Sequence, residues 1–336
     1  MRLIGKDVRA KFEAPLAWGG DFADSDPAMT TPQPDGLDRR IIDQLRQDGR
    51  KPAKYIAAEL GVSEVTITAR IRALGENRIM RVLAQRNMSR LNERIACFIE
   101  VTVRNHSIDD VAQALARIEA IAGVNITVGS PEILAYAFVE NNLQVLSLLQ
   151  HEIGRVPGVD RIEVHIALDI RTYRSDYGDL ASGAVGAPGE DVDDRIIALL
   201  QEDGRQSTRE IARKLDMPAS TVRERMNRLL QTEAIRIGVI CDARAMGLEL
   251  ACCAYISVEA ARIEAALQHL SQLDELGQVC LISGRYNIFV LFGARHMDHL
   301  VKVVKSHLET APGMIEVRVR LVSTVVKHRI DLISIV

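Results

Sequence analysis

One long repeat constrains this chain more than any other feature. The stretch from Asp38 to Met80 returns as Asp193 to Ile235, 155 positions further on. Asp38, Arg40, Ile41, Ile42 and Leu45 recur as Asp193, Arg195, Ile196, Ile197 and Leu200. Asp48-Gly49-Arg50 recurs as Asp203-Gly204-Arg205, Ile56-Ala57 as Ile211-Ala212, and Arg70 and Leu74 as Arg225 and Leu229. The same offset carries into the following regions, where Gly129 matches Gly284 and Pro157-Gly158 matches Pro312-Gly313. A duplication held in register over this length predicts two copies of one architecture.

Each repeated stretch reads as three short helices. Leu37, Ile41, Ile42 and Leu45 form an apolar stripe at helical spacing, and Gly49 ends it. Ile56, Ala57 and Leu60 mark the inner face of a second helix, Gly61 breaks the chain, and Ser63 is a good N-cap for a third. Two helices joined by Gly61-Val62-Ser63 have the turn chemistry of a helix-turn-helix, whose second member enters the DNA major groove. In the second copy Pro218 stands where Ser63 stood and cannot cap, so Asp216 is expected to take that task. Arg78, Arg81, Arg86, Arg90 and Arg94 follow the first unit as a basic strip, readable equally as a solvated connector or as phosphate contacts.

From Ile95 the periodicity changes. Ile95–Val103 alternates and is β-branched, 108–120 is helical, and 124–128 and 133–139 read as strands joined by Gly129-Ser130-Pro131-Glu132. A helix over 143–153, a turn at Pro157-Gly158 and an alternating strand over 159–170 complete the order β-α-β-β-α-β. That order is a ferredoxin-like split βαβ sandwich, with helices on one face of an antiparallel sheet. The other face needs cover, most simply from another copy, so the two sandwiches are expected to pair face to face. The second copy repeats the pattern, with strands at 250–258, 277–282, 286–292 and 314–326 and helices at 260–272 and 296–309.

The fold class expected is therefore α+β: two winged-helix-type helix-turn-helix units alternating with two βαββαβ sandwiches. The expected order is a disordered leader over 1–36, a DNA-binding unit over 37–90 and a sandwich over 91–174. A Gly/Ala/Ser-rich linker over 175–191 then leads to a second DNA-binding unit over 192–246 and a second sandwich over 247–336. With a net charge of −3, any basic surface must be local. No apolar run is long enough to span a bilayer, and five scattered cysteines without a C-x-x-C pair suit reduced thiols in the cytoplasm. No cofactor and no metal are expected.

The sequences Gln47-Asp48-Gly49-Arg50 and Glu202-Asp203-Gly204-Arg205, the R-x-x-x-L end of each third helix and Ser283-Gly284-Arg285-Tyr286-Asn287-Ile288 resemble the Lrp/AsnC family of feast/famine transcription regulators. The resemblance covers roughly residues 37–172 and 192–329. It implies double-stranded DNA as partner, self-association through the sandwiches, and response to an amino acid or other small effector. The family usually carries G-x-Y-D between the middle strands. The first copy departs from this with Pro131 in place of the aromatic residue, so an effector is expected at Gly284, Arg285, Tyr286 and Asn287 of the second. There Asn287 keeps the size and hydrogen bonding of the acid without its charge.

In the third helices Ile67, Ile71 and Leu74, and Val222, Met226 and Leu229, are expected to pack inward. That leaves Glu64, Val65, Thr68, Ala69 and Arg72 outward in copy one, and Ala219, Ser220, Arg223, Glu224 and Asn227 in copy two. Of these, Glu64, Val65, Thr68, Arg72, Ser220, Arg223 and Asn227 are DNA-reading candidates, joined by Arg228. Arg70 and Arg225 sit at the packing register, where a salt bridge or phosphate clamp suits them better than base reading. The architecture is also similar to that of sirohaem decarboxylases, which carry His- and Arg-rich segments near the middle strands. Here the eight histidines are scattered, and the Ser283–Ile288 segment has none, so a catalytic role is the weaker reading.

Overall fold

The computed structural model describes residues 33–87, 95–173, 177–178, 183–184, 191–330 and 332–333. Residues 1–32 of the expected leader over 1–36, most of the linker, and Arg90 and Arg94 of the basic strip lie outside these residues, and Gly36 already belongs to a helix.

Each half opens with the three expected helices. In the first these are α1 (Gly36–Gln47), α2 (Ala53–Leu60) and α3 (Glu64–Glu76). The Asp35 carboxylate accepts from the backbone N–H groups of Leu37 and Asp38, while Asp38 accepts in return from Asp35, so a capping box starts α1. Ile41, Ile42, Leu45, Ile56 and Ile67 have no exposed surface and form the core of the unit. Gly61 closes α2 at φ +68°, and Ser63 caps α3 through a 3.0 Å bond from Thr66 N–H. A strand, β1 (Met80–Asn87), follows.

The first sandwich comprises β2 (Ile95–Val103), α4 (Ile108–Ala116), β3 (Ile121–Thr127), β4 (Ile133–Val139), α5 (Asn142–Ser147) and β5 (Val159–Tyr173). A π turn at Leu148–Glu152 and a 3₁₀ turn at Ile153–Arg155 extend α5. Two short strands, β6 (Tyr177–Gly178) and β7 (Gly183–Ala184), lie within the expected linker. The second half then repeats the plan with α6 (Val192–Glu202), α7 (Thr208–Leu215), α8 (Ala219–Gln231) and β8 (Ile235–Asp242). Its sandwich comprises β9 (Leu250–Val258), α9 (Ile263–Ser271), β10 (Leu276–Ile282), β11 (Ile288–Ala294), α10 (Met297–Val303) and β12 (Met314–Arg329). The short β13 (Leu332–Ile333) follows.

Three sequence expectations need correction. Asp216 does not cap α8. It sits at φ +53° closing α7, the backbone position held by Gly61 in the first half, and α8 starts at Pro218 without a side-chain cap. Over Met80–Asn87 the basic strip is not a connector, because β1 is a strand paired antiparallel with β8. Nor do Arg81 and Arg86 point to phosphates: Arg86 pairs with Asp194 at 2.7 Å, and Arg81 donates to the Gln201 carbonyl at 3.2 Å.

The β1–β8 register runs from Met80 opposite Cys241 to Arg86 opposite Ile235. Leu83 lies opposite Gly238, and these two are equivalents in the repeat, so a pseudo-twofold axis passes between them. The sandwiches obey the same symmetry. Their strands run in the order β3-β4-β2-β5-β10-β11-β9-β12, and β12 pairs back onto β3, closing an eight-stranded antiparallel barrel. One long strand from each half makes this possible. β5 pairs with β2 through residue 166 and then with β10 from residue 167, while β12 pairs first with β9 and then with β3. The face of each sheet away from its helices is therefore covered by the other half of the same chain. Cys97, Ile99 and Val101 pack toward the helices, whereas Phe98 joins Leu134, Cys253, Tyr255 and Phe289 inside the barrel. Closure also removes the sheet edges that would otherwise invite another strand.

Candidate nucleic-acid interface

The exposed faces of α3 and α8 follow the expected register. Ile67 and Leu74 are buried and Ile71 is half-buried, while Val222, Met226 and Leu229 are all buried. Glu64, Val65, Thr68, Ala69 and Arg72 are exposed on α3, as are Ser220, Arg223, Glu224, Asn227 and Arg228 on α8, with Ala219 half-buried. Val65 is 78% exposed. A methyl-bearing side chain on a reading helix can meet the methyl group of thymine.

The arginines divide into committed and available groups. Arg70 reaches from α3 to the start of α1, with Nη1 2.6 Å from Asp35 and 3.3 Å from Asp38. These carboxylates, Asp35 foremost, raise its pKa. Arg225 makes the equivalent contact to Asp193 at 2.8 Å, and Arg228 shares that carboxylate. Burial works to raise the Asp193 pKa, but hydrogen bonds from Arg225 and Arg228 outweigh it and hold the carboxyl below its ordinary value. These three side chains fix the reading helices to α1 and α6. Arg72 is exposed and pairs with Glu76 one turn along at 2.7 Å, whereas Arg223 stands in solvent on the same face as Ser220 and Asn227.

Two arginines lock the helical units together. Arg50 donates to the Gly204 and Gln206 carbonyls, both at 2.8 Å. Arg205 donates to the Gly49 and Lys51 carbonyls at 2.8 and 3.2 Å. Gly49 must be glycine here, because a Cβ would lie 2.8 Å from the Ile237 carbonyl oxygen.

The expected effector residues cluster at the turn between β10 and β11. Gly284 adopts φ +116° above His165, and a Cβ on it would lie 2.9 Å from the His165 Nδ1. Arg285 and Tyr286 both hold Glu316, at 3.0 and 2.9 Å. The Tyr286 hydrogen bond is the main cause that lowers the Glu316 pKa. Asn287 is used on both sides: its Nδ2 donates to the Val258 carbonyl at 2.9 Å, and its Oδ1 accepts from Val258 N–H at 3.0 Å. In the first half Glu132 accepts from Val103 N–H at 2.9 Å in the same way. There the turn is filled by arginines from β12. Arg318 donates to the Ser130 carbonyl at 3.0 Å, and Arg320 donates to the Pro131 carbonyl.

A charged cluster inside the barrel went unnoticed in the sequence. Arg320 pairs with Glu100 at 2.7 Å, both almost wholly buried, and the second Glu100 oxygen lies 3.7 Å from the His165 Nε2. The signal was present as one acid within the apolar strand Ile95–Val103, at the position beside Phe98 that faces away from the helices. Among the described residues no helix is long and apolar enough to cross a membrane.

Comparison with known proteins accounts for both kinds of unit. The sequence matches the AsnC-type helix-turn-helix domain over residues 35–74 and 190–230. It matches the Lrp/AsnC ligand binding domain over 96–176 and 251–332. An HTH-type transcriptional regulator, FL11, from Pyrococcus abyssi is 33% identical over 141 residues, covering 42% of this chain and 91% of that protein. An uncharacterized HTH-type transcriptional regulator from the same organism is 29% identical over 139 residues, covering 41% of this chain and 88% of the relative. Each relative thus corresponds to less than half of this chain. Among solved structures, the siroheme decarboxylase NirDL superposes with a TM-score of 0.61 at 14% identity, covering 87% of this chain and 93% of that one.

Proposed function

This chain belongs to the Lrp/AsnC family, and from that premise we propose that it is a sequence-specific regulator of transcription carrying both halves of a dimer in one polypeptide. Residues 37–90 and 192–246 are the units that bind double-stranded DNA. Residues 91–174 and 247–336 are the sandwiches that hold them in register. The observation that carries this reading is the β1–β8 pairing, with Leu83 opposite its own equivalent Gly238. It sets α3 and α8 about one pseudo-twofold axis, as a dimeric helix-turn-helix protein sets its two recognition helices. A small effector, an amino acid by family resemblance, would act at Gly284–Asn287, and the protein would work where DNA is, in the cytoplasm.

The likeness to the siroheme decarboxylase is a likeness of fold at 14% identity, and fold does not carry activity. An enzymatic role is disfavoured by the exposed polar and cationic side chains on both reading helices and by the named regulators among the relatives. Selection of bound duplexes from a random pool tests the proposal. Enrichment of a defined motif, with loss of binding when salt is raised, supports it. Recovery of no motif, together with a tetrapyrrole absorbance band in the purified protein, would replace it with the enzymatic reading.

A further inference from the structure

We propose that Glu100, Glu163 and His165 form a binding site for a divalent transition-metal ion at the mouth of the barrel. Glu100 on β2 and Glu163 on β5 are direct cross-strand partners, and Phe98 is the partner of His165 on the same pair of strands. All four side chains therefore lie on one face of the sheet, the one toward the barrel interior. Two carboxylates placed directly opposite one another repel, and a cation between them removes the penalty. The His165 Nε2 lies 3.7 Å from Glu100 Oε2 and 3.7 Å from Glu163 Oε1, and the three donor atoms all fall within 4.8 Å of one another.

The outer partners distinguish this cluster from an accidental gathering of charge. A carbonyl can only accept, so the contact of 3.0 Å between His165 Nδ1 and the Ser283 oxygen places a proton on Nδ1 and leaves Nε2, which faces the glutamates, as the atom that would ligate an ion in place of a proton. Ser283 is itself pinned, its Oγ accepting from Ile166 N–H at 2.8 Å and its N–H donating to the Ile166 carbonyl at 2.9 Å. Arg320 occupies Oε1 of Glu100 and leaves Oε2 toward the histidine, in the way ligating carboxylates are held by a second hydrogen bond. The Tyr255 hydroxyl is buried without a hydrogen-bond partner. Glu163 remains exposed and gives an entry path from solvent.

One imidazole and two carboxylates suit zinc, manganese, iron(II) or cobalt, and the nitrogen donor argues against calcium and magnesium. All three ligands come from the first half, whereas Ser283 and Arg320 come from the second. An ion here would brace the residue that opens the segment Gly284–Asn287, so metal occupancy and the geometry of that segment are linked.

The test uses the full chain, stripped with a chelator and titrated separately with Zn²⁺, Co²⁺ and Mn²⁺ by calorimetry, with the visible spectrum of the Co²⁺ form as a second readout. One ion per chain is expected for at least one metal, with a rise in melting temperature. Glu163→Gln changes an exposed side chain, so the variant should fold normally and bind roughly ten-fold or more weakly. His165→Gln should abolish the Co²⁺ bands, and His299→Gln, on the far helix α10 side, should retain them. Absence of stoichiometric binding by all three metals would overturn the proposal. So would Glu163→Gln binding as tightly as the unaltered protein.

Discussion

Arg50 and Arg205 reach across the pseudo-twofold axis in opposite directions, each donating to two carbonyls of the loop that carries the other. Burial draws the pKa of both guanidiniums down, and Asp203 counters it in each case. A planar fork can satisfy two carbonyls at once, and an ammonium cannot. Arg50→Ala is therefore expected to cost about 2–3 kcal/mol, since two charge-assisted bonds are lost and two carbonyls are left poorly satisfied. Arg50→Lys should recover less than half of that. Chemical denaturation of the two variants measures both values, and an Arg50→Ala protein as stable as the parent would show that β1–β8 pairing alone joins the units.

Much of this arrangement was legible in the sequence, and the exceptions share one cause. The strand Ile95–Val103 was readable because its alternation is local, and the inward set on α3 and α8 because helical spacing is local. β1 was not, since Met80–Asn87 carries two arginines, its strand partner lies 155 positions further on, and its two faces are covered by the helical units and by Ile330. Barrel closure was equally hidden. β5 and β12 each look like one alternating strand, and nothing in their pattern says that the far half of each pairs with the other sandwich. The Glu100, His165 and Arg320 cluster joins three strands, so its meaning exists only once those strands have met.

Acid should loosen the second helical unit. Asp193 anchors Arg225 and Arg228, and although burial opposes ionisation, the two arginines keep its folded pKa below the ordinary value. A depressed carboxylate contributes stability above its unfolded pKa of about 3.9 and loses it as pH falls through the folded value. Asp193→Asn should therefore melt below the unaltered protein at neutral pH, and the gap should shrink as the pH is taken below about 4. A constant gap in melting temperature across that range would remove Asp193 from the acid response.

The thiols should be inert in the native state. All five cysteines are buried and none is in a disulfide. Burial pushes Cys97 up to about 11 and Cys252, Cys253 and Cys280 up to about 12. At pH 8 a thiol of pKa 12 is ionised on the order of one part in 10⁴, so a disulfide reagent finds almost no thiolate. Five thiols should react at once in denaturant and none at a comparable rate in the folded chain. A fast-reacting native thiol would mean that one of these strands opens readily.

An effector at Gly284–Asn287 has to contend with contacts already made. Asn287 spends both sides of its amide on Val258, so Asn287→Ala should lower the melting temperature whether or not an amino acid is present. Arg285 is different, because it lies largely in solvent, paired with Glu316 and 5.4 Å from the centre of the Tyr286 ring. Such an exposed pair is weak enough for a ligand carboxylate to displace. Screening amino acids by thermal shift should give hits that vanish in Arg285→Ala while the melting temperature without ligand stays close to that of the parent. Hits that survive this change would place the effector elsewhere.

The preferred DNA site should have unlike halves. A homodimer presents identical reading helices and so selects a palindrome, but here duplication has let the two helices differ where they face outward. Thr68 corresponds to Arg223, Arg72 to Asn227, and Glu64-Val65 to Ala219-Ser220, whereas the buried positions remain aliphatic or methionine. Arg223 stands exposed on α8, so a paired contact to guanine would add to what it has, and Arg223→Ala should relax one half-site by roughly 1–3 kcal/mol. Arg72 must first release Glu76, so Arg72→Ala should relax the other half-site by less, and Glu76→Ala should strengthen binding there. Contacts to phosphate would look different: each change would weaken all sequences alike and flatten the salt dependence. The decisive comparison is a set of duplexes altered in one half at a time, with the number of chains per duplex measured on the same complexes. A perfect inverted repeat held by a single chain, with both substitutions acting equally on both halves, would contradict the division of labour between α3 and α8.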